Sequence, residues 1–277
     1  MINIDEIATN LECDGNGIWR ARKRSDISYP DEGNRVFFQV EEDSFWFRHR
    51  NKCLLELVRM FPPRGVLFDV GGGNGFVSRA LQSAGINTVL VEPGSSGVEN
   101  AAARGVRLII QSTLEDAGFK ERSIPAMGLF DVLEHIQDDA AFLATIKRLL
   151  AIGGRLYLTT PAYPFLWSVA DEDTGHYRRY TLRSLGERLA ALRFRVDYAS
   201  YIFGAMVLPI YFSRTLPSRL GIRKRRSIMD YHKDASRGAG WMEGMVNSIF
   251  NLELGWLRRD RRLGFGGTCM VAASALE

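Results

Sequence analysis

Residues 66–81 read Val-Leu-Phe-Asp-Val-Gly-Gly-Gly-Asn-Gly-Phe-Val-Ser-Arg-Ala-Leu. Its first five residues form an apolar run typical of a buried parallel strand. The glycines that follow allow a sharp turn. Apolar residues then recur at helical spacing, at Val77, Ala80, Leu81 and Ala84. The stretch therefore predicts a strand, a glycine turn and a helix, an arrangement that exposes bare backbone to a ligand at a helix N-terminus.

The glycine turn raises the question of which ligand it holds. A dinucleotide is the first candidate, since dinucleotides bind to Gly-x-Gly-x-x-Gly. Counting from Gly71, however, the third glycine position holds Phe76, which is too large for close packing of the helix on the strand. Asp69 at the end of the strand would repel a pyrophosphate and attract an ammonium or sulfonium group. S-adenosylmethionine carries both cations and no phosphate, so it fits these residues better.

A second acidic residue follows the next apolar run. Residues 88–91 predict a second strand, and Glu92 stands at its tip. A carboxylate there can accept hydrogen bonds from both ribose hydroxyls of an adenosine-containing cofactor. With this residue the sequence resembles the class I S-adenosylmethionine-dependent methyltransferases. The resemblance is carried, in the order of that family, by Asp69-Val-Gly-Gly-Gly-Asn-Gly75, Leu90-Val-Glu92-Pro93, Phe130-Asp-Val-Leu-Glu-His135-Ile136 and Gly153-Gly-Arg-Leu-Tyr-Leu-Thr-Thr-Pro161.

The resemblance implies an α/β fold with a Rossmann-like, seven-stranded, mostly parallel sheet, helices on both faces and an antiparallel last strand. The alternation of strand and helix patterns agrees with a parallel sheet and right-handed crossovers. Residues 1–43 mix charges, glycines and a proline with little periodicity, so we predict a loosely structured N-terminal arm or cap there. Residues 44–277 are expected to form the methyltransferase domain, with an insertion at about 203–264 between the last two strands.

Individual elements can also be predicted along the domain. A helix is expected from Ser44 until the two prolines at 62–63 stop it. The fourth strand, residues 126–129, follows Pro125, which stands where the family commonly has an aspartate and is tolerated at a strand start. The helix after residues 138–139 is expected to end at the glycines 153–154. A helix is also expected inside the insertion, marked by Met242, Met245, Val246 and Ile249.

The resemblance also implies which residues bind S-adenosylmethionine. The aromatic and basic segment 45–51 is similar to segments that cover the cofactor in the family, and Arg48 is then a candidate for its carboxylate; aromatic packing with solvated arginines is the alternative. Thr113 stands where the family usually has an acid, so the adenine contact remains open among Thr113, Leu114 and Glu115. The predicted cofactor-binding residues are Asp69, Gly71, Gly73, Asn74, Gly75, Glu92, Pro93, Thr113, Leu114, Glu115, Phe130 and Asp131.

Two histidines are candidates for catalysis. If the acceptor is a hydroxyl or an acidic carbon, a base assists methyl transfer, and the pKa of histidine suits that task. His135 follows the fourth strand, and a structural or cofactor-positioning role is its alternative. His176 lies in the aperiodic segment 161–180, where its alternative is to anchor the loop through Asp171 or Asp173. The residues predicted to bind the acceptor are Tyr163, Trp167, Asp171, Arg178, Arg179 and Tyr180.

Composition limits the remaining possibilities. The 277 residues carry a net charge of +4, too small by itself to indicate nucleic-acid binding. The three cysteines are far apart and odd in number, which predicts reduced thiols in a cytoplasmic protein, and we predict no metal site.

The N-terminus lacks a basic start followed by an apolar run, so we do not expect a secretory signal. The apolar segment 201–212 followed by the basic run 214–226 allows contact with a membrane surface, with a solvated loop as the alternative.

The sequence therefore favours a methyltransferase that acts on a small-molecule or lipid- or sugar-linked acceptor. O-methylation is slightly favoured, and neither an Asn-Pro-Pro-Tyr motif nor an RNA-binding module points to nucleic acid. A non-catalytic S-adenosylmethionine-binding regulator or partner subunit is the second hypothesis. A nucleotide-dependent oxidoreductase is the third, and Phe76 argues against it.

Overall fold

The glycine-rich stretch folds as predicted in the computed structural model, which describes residues 2–22, 31–222 and 240–277, without the side chains of 31–33, 36, 39, 240–243 and 245. A buried strand, Leu67–Val70, leads through the turn into the helix Phe76–Ser83. Gly71, Gly73 and Gly75 have φ angles of 67°, 52° and 70°. This left-handed backbone is accessible to glycine without steric cost, which is why the turn is rich in glycine.

The strands are, in chain order, β1 (Leu11–Cys13), β2 (Ile18–Ala21), β3 (Leu67–Val70), β4 (Thr88–Val91), β5 (Ile109–Gln111), β6 (Ile124–Phe130), β7 (Leu150–Pro161), β8 (Phe194–Ile202) and β9 (Thr268–Ala275). The helices are α1 (Ile4–Ile7), α2 (Asp31–Val40), α3 (Phe45–Met60), α4 (Phe76–Ser83), α5 (Ser95–Ala103), α6 (Leu114–Ala117), α7 (Asp139–Leu149), α8 (Val169–Asp173), α9 (Leu182–Ala191), α10 (Val207–Ile210), α11 (Leu216–Arg219) and α12 (Gly240–Leu257). Short 3₁₀ turns occupy Leu133–His135, Pro164–Leu166 and Gly204–Met206, and Tyr211–Thr215 is a π-helical turn.

In the described part of the chain, nine strands form one sheet in the order β1-β2-β5-β4-β3-β6-β7-β9-β8. Strands β2 to β7 run parallel, and β9 is antiparallel to both of its neighbours, β7 and β8. The predicted mostly parallel core of seven strands with an antiparallel last strand is therefore confirmed. The order of strands reverses between β3 and β6, which creates the switch point where ligands bind in such sheets.

Helices cover both faces of the sheet, as predicted. Leu67 of β3 packs in one apolar cluster with α3, α4 and α12. Its neighbour Phe68 points to the opposite face and packs in a second cluster with α7 and α9. Successive residues of a strand alternate between faces, so a strand that is apolar at both positions requires helices on both sides.

The N-terminal segment differs from the prediction of a loosely structured arm. Strands β1 and β2 extend the sheet, with Ile18 of β2 opposite Ile109 of β5. These strands have only three and four residues, too few to show an alternating apolar pattern. Their pairing with the edge of the sheet, not a local sequence signal, stabilises them.

The boundary between α7 and β7 also differs. The helix was predicted to end at Gly153 and Gly154, but it ends at Leu149, and β7 begins at once. Leu150 pairs with Ile124, and the register then shifts before Ala126. The glycines thus lie in an irregular strand start, where Gly153 has a φ of 73°. Pro125 lies at this irregularity, a position compatible with its missing N–H.

The insertion before β9 is largely helical in its described residues. The helix predicted around Met242 to Ile249 is confirmed as α12. The end of the predicted basic run, residues 223–226, lies outside the described residues. Among the residues that the structure describes, we find no helix both long enough and apolar enough to cross a membrane.

Candidate functional site

A cavity of about 770 Å³ opens at the carboxyl ends of the central parallel strands. The loops after β3, β4, β5, β6 and β7 all contribute to its wall, as expected at a topological switch point. The predicted site residues that line it are Asp69, Gly71, Gly73, Asn74, Glu92, Pro93, Thr113, Leu114, Glu115, Phe130, Asp131, His135, Asp171, His176 and Arg179. The fold thus brings most of the predicted cofactor and catalytic residues to one cavity.

Asp69 is a fully buried carboxylate in the cavity wall. Its Oδ2 accepts a hydrogen bond from the Ser78 hydroxyl at 2.7 Å, whereas Oδ1 has no hydrogen-bond partner among the described residues. Burial raises the pKa of Asp69 to about 6, although the bond from Ser78 and the charge of Arg50 oppose this shift. A cation bound beside Asp69 would supply the missing partner and favour the ionised form.

Glu92 connects the glycine turn to the end of the second central strand. Its Oε2 accepts from the backbone N–H of Gly73 at 2.9 Å, and its Oε1 accepts from that of Gly94 at 2.8 Å. These bonds hold the carboxylate in one orientation at the cavity wall. A carboxylate oxygen can accept more than one hydrogen bond, so Glu92 keeps the capacity to accept from a ligand.

Gly75 and Asn74 support the turn in different ways. A Cβ at Gly75 would lie 2.7 Å from Val106 and 2.9 Å from Ala101, so the glycine allows close packing of α4 on α5. Gly75 therefore lies behind the cavity wall and not in it, unlike the other predicted glycines. The side chain of Asn74 accepts from Asn100 at 2.9 Å and lines the cavity.

The loop after β5 contributes all three residues left open for the adenine contact. Thr113, Leu114 and Glu115 each line the cavity, together with Ser112, which the sequence did not single out. The Thr113 hydroxyl caps α6 by accepting from the backbone N–H of Asp116 at 3.0 Å. This cap satisfies an N–H at the helix start and fixes the loop in place.

An arginine from α3 reaches the cavity, but it is Arg50 and not the expected Arg48. Arg50 forms an ion pair with Asp131 and is only 8% exposed, and its Nε has no hydrogen-bond partner in the described structure. Arg48 instead donates to the backbone carbonyl of Glu42 at 3.3 Å. Residues two apart on a helix project about 200° apart, so only one of the two arginines can face the site.

Asp131 combines unusual backbone geometry with two polar contacts. Its φ angle of 59° is uncommon for a residue with a side chain. Its carboxylate accepts from the Thr159 hydroxyl at 2.9 Å and pairs with Arg50. The contacts hold a strained residue at the carboxyl end of β6, which is a frequent feature of functional sites.

Asp171 is the centre of a buried polar network on the acceptor side. It is 1% exposed, and its Oδ1 lies 3.0 Å from Nδ1 of His176 and 2.7 Å from Nε of Arg179. Burial alone would raise the pKa of Asp171, but the hydrogen bonds and charges of His176 and Arg179 lower it. The anchoring contact predicted as the alternative for His176 therefore exists, and the same histidine also lines the cavity.

His135 and Glu134 lie next to His176 in the cavity wall. The rings of His135 and His176 meet edge to face, with centroids 4.7 Å apart. Burial, together with the nearby His176, lowers the pKa of His135 to about 4, so its ring is neutral at pH 7. Glu134 is 1% exposed, and neither carboxylate oxygen has a hydrogen-bond partner among the described residues. Burial raises the pKa of Glu134 well above its usual range.

Four residues predicted to bind the acceptor are not in the cavity wall; they are Tyr163, Trp167, Arg178 and Tyr180. The Tyr180 hydroxyl donates to Asp139 at 2.8 Å, and Arg178 pairs with the same carboxylate at 2.9 Å.

The other two of the four make their contacts with neighbouring loops. The ring of Tyr163 stacks on Tyr201 at 4.9 Å, and Trp167 donates to Glu172 at 3.4 Å. All four side chains therefore make contacts that support the segment 161–180, and none of them lines the cavity, where the acceptor was expected to bind.

Several cavity residues were missed because they come from distant segments. The helix α2 contributes Asn34 and Phe37, the turn after it contributes Glu41, and the insertion contributes Ile210 and Arg214. No local pattern connects these residues to the glycine turn. Glu134 did carry a signal, since it belongs to the Leu-Glu-His segment that supported the family resemblance.

Comparison with known proteins assigns the family. The family model described as methyltransferase domain matches residues 42–199, more than half of the chain. A probable S-adenosylmethionine-dependent methyltransferase of Mycobacterium tuberculosis is 25% identical over 130 residues, 47% of each chain. A ubiquinone biosynthesis O-methyltransferase of Xanthomonas oryzae is 28% identical over 100 residues, 34% of this chain and 42% of the relative. The chain thus aligns with less than half the length of these curated relatives.

Solved structures agree on the fold. A methyltransferase solved in complex with the Trm112 methyltransferase activator of Haloferax volcanii superposes with a TM-score of 0.59 and 17% identity. The match covers 89% of this chain and 97% of the other. The sheet order, the cavity at the switch point and the match over residues 42–199 lead to one assignment. The chain belongs to the methyltransferase domain family, in the class that uses S-adenosylmethionine as its methyl donor.

Proposed function

We propose that this protein transfers the methyl group of S-adenosylmethionine to a hydroxyl oxygen of a small-molecule acceptor. One observation carries the proposal: the cavity that contains Asp69 and Glu92 also contains the titratable group formed by Glu134, His135 and His176. The first pair has the chemistry to bind the cofactor, and the second set has the chemistry to activate an acceptor beside it.

The cofactor is proposed to lie across the glycine turn. Asp69 would accept from its amino group, since an unpartnered buried carboxylate favours a cation. Glu92 would accept from the ribose hydroxyls, and Arg50 would bind the carboxylate of the methionine part through a charge-assisted hydrogen bond. In this placement we expect the methyl group to face the wall that contains His135.

The acceptor chemistry follows from the groups in that wall. In methyl transfer an acceptor lone pair attacks the methyl carbon while the bond from carbon to sulfur breaks and its electron pair stays on sulfur. The cofactor supplies this activated methyl group, so the protein mainly aligns the acceptor and excludes water. A hydroxyl gains more than an amine from groups that promote loss of its proton, and such groups line this cavity. The name of the Xanthomonas relative agrees with transfer to oxygen.

The proposal is tested by incubating the protein with deuteromethyl-labelled cofactor and two matched panels, one of phenols and catechols and one of primary and secondary amines. Mass spectrometry should show a labelled methyl group on oxygen in the first panel. Glu92→Ala serves as the cofactor-deficient control. Label on nitrogen alone would contradict the proposal, and so would cofactor hydrolysis without product in a broad metabolite extract, which would favour the regulator hypothesis.

The surface around the insertion favours a lipid-linked acceptor as a second candidate. Leu208, Phe212 and Leu220 are each more than 60% exposed. Leu208 and Phe212 lie on the same short helical stretch as Ile210 and Arg214, which line the cavity, and Leu220 directly follows that stretch. Exposed apolar side chains beside basic residues favour binding to an anionic interface. The protein should then float with phosphatidylglycerol-containing liposomes at low salt, and Phe212→Glu should weaken flotation. Absence of flotation at low salt would rule out this candidate.

A further inference from the structure

We propose that Glu134, His135 and His176 bind a divalent transition-metal ion, of the class of Zn²⁺, Mn²⁺ or Fe²⁺, in the acceptor half of the cavity. This inference departs from the sequence, which predicted no metal site. Its proposed role in methyl transfer rests on the function proposed above, whereas metal binding itself can be tested without any acceptor.

The first argument is the spacing of three donors of the right type. One ligand atom from each residue lies within 4.8 Å of the other two. Metal-to-ligand distances of about 2.1 Å place tetrahedral ligands roughly 3.4 Å apart, so small side-chain movements complete the site. Glu134 and His135 come from one 3₁₀ turn and His176 comes from the loop after α8, so the fold, not one local motif, assembles the set.

The second argument is the state of the Glu134 carboxylate. It lines the cavity, is 1% exposed and has no hydrogen-bond partner for either oxygen among the described residues. A buried polar group without a partner is costly, and a buried carboxylate especially so. Arg50 is already paired with Asp131. A bound cation facing Glu134 would remove the cost.

The third argument is that hydrogen bonds to neighbouring residues orient the two histidine rings. Nδ1 of His176 lies 3.0 Å from the Asp171 carboxylate, which leaves Nε2 as the nitrogen with a lone pair in the neutral ring. His135 makes a hydrogen bond to the backbone of Gly175. Histidines that bind metals typically donate their other ring N–H to a carboxylate or a carbonyl in this way.

A second cluster in the described structure provides a contrast. His49, Cys53 and Glu253 also lie close together, but Glu253 already accepts from the backbone N–H groups of Phe203 and Gly204 and contacts His49. Burial raises the pKa of the Cys53 thiol well above its usual range. This cluster is satisfied by protein contacts and is not part of the cavity wall, so it serves as an internal control.

The ligand set determines the class of metal. Two imidazoles with one carboxylate suit Zn²⁺, Fe²⁺ or Mn²⁺ better than Mg²⁺ or Ca²⁺, which prefer oxygen ligands. Three protein ligands leave at least one position open, as in catalytic sites. An acceptor hydroxyl bound there would lose its proton to water more readily, and its oxygen would then attack the methyl carbon as the bond to sulfur breaks. The acceptors expected are therefore compounds with a metal-binding hydroxyl, such as catechols.

The test uses the full-length protein after treatment with a chelator and buffer exchange. Titration calorimetry with Zn²⁺, with Mg²⁺ as comparison, should show one tight Zn²⁺ site per chain and no comparable Mg²⁺ site. The Co²⁺-loaded protein should show the visible absorption bands of a low-coordinate site. Glu134→Gln and His176→Gln should each weaken Zn²⁺ binding by at least about tenfold, whereas His49→Gln should leave it unchanged. Affinity for S-adenosylhomocysteine confirms that each variant is folded.

The possible outcomes separate this inference from the proposed function. Equal Zn²⁺ affinity in the wild type and Glu134→Gln would overturn the site, as would tighter binding of Mg²⁺ than of Zn²⁺. Methyl transfer to oxygen by protein that binds no metal would overturn this inference and leave the proposed function intact. A Zn²⁺ site that behaves as expected, in a protein that methylates no acceptor, would support the site and contradict the proposed function.

Discussion

At the scale of single residues, the proposed contact of Asp69 with the cofactor's amino group predicts how cofactor binding depends on pH. Its pKa of about 6 belongs to the ligand-free protein, and a bound ammonium group favours the ionised carboxylate. Affinity for S-adenosylhomocysteine should therefore be full at pH 7.5 and should fall as the pH decreases through 6, approaching about tenfold per pH unit. Calorimetry between pH 8 and pH 5.5 measures this dependence.

Asp69→Asn is the matched variant for that experiment. It cannot ionise, so binding should be weaker at pH 7.5 by about 1–3 kcal/mol and nearly independent of pH. Glu134 remains in both proteins, so the difference between the two profiles isolates Asp69. The same pH dependence in both proteins would show that another group controls binding.

Glu92 should contribute to cofactor affinity in two ways. It is proposed to accept from the ribose, and it holds the N–H groups of Gly73 and Gly94. Glu92→Ala should weaken binding of S-adenosylhomocysteine by about 1–3 kcal/mol. Glu99→Ala, at an exposed position of α5, is the control and should bind normally. Unchanged affinity in Glu92→Ala would refute the proposed placement of the ribose.

At the scale of elements, a buried contact attaches the insertion helix α12 to α3. Glu253 of α12 accepts from the N–H of Phe203 at 2.7 Å and lies 2.8 Å from Nε2 of His49 on α3. Phe203 has a φ of 62° and stacks on Trp46 at 3.6 Å, and Trp46 lines the cavity. The contact thus connects α12, a helix of the insertion, to the cavity wall.

Loss of that contact should destabilise the fold. Glu253→Ala leaves buried backbone N–H groups and His49 without an acceptor, which should lower the free energy of unfolding by about 3 kcal/mol. Urea unfolding followed by tryptophan fluorescence measures the change. Asn251→Ala on the exposed face of α12 should change stability by less than about 0.5 kcal/mol. Similar stability of the two variants would mean that α12 is only loosely attached.

At the scale of the whole molecule, the N-terminal segment completes the wall of the cavity beside the glycine turn. Arg104, directly after α5, donates to Glu41, directly after α2, at 2.7 Å and to the backbone carbonyl of Asn74 at 2.9 Å. The guanidinium also lies 4.6 Å from the ring of Phe38. Because the side chain of Arg104 is only 5% exposed and contacts both the glycine turn and α2, it couples the covering helix to the proposed cofactor site.

Arg104→Met should loosen this covering helix without unfolding the sheet. Amide hydrogen exchange in residues 34–40 should become faster, and affinity for S-adenosylhomocysteine should fall several-fold. Exchange in β3 and β4 should remain slow, because their hydrogen bonds do not involve α2. Arg107→Met, at an exposed position nearby, is the control. Normal exchange in α2 of the Arg104 variant would contradict the coupling.

Local signals in the sequence were enough to predict the central part of the fold and several residues that line the cavity. The apolar runs at β3 and β4, the glycines between β3 and α4, and the acids Asp69 and Glu92 are local signals, since short segments of chain encode them. Backbone preference and apolar periodicity act over a few residues, so these elements could be predicted without knowledge of their neighbours.

Contacts between residues far apart in the chain could not be predicted in this way and are known from the folded structure. The folded structure adds β1 and β2 to the sheet, brings Arg50 and not Arg48 to the cavity wall, and places Glu134 beside His176. It also moved Tyr180 from the acceptor site to a supporting contact with Asp139. Each of these outcomes depends on packing between segments far apart in the chain, and the free energy of such contacts exists only once the sheet has brought the segments together.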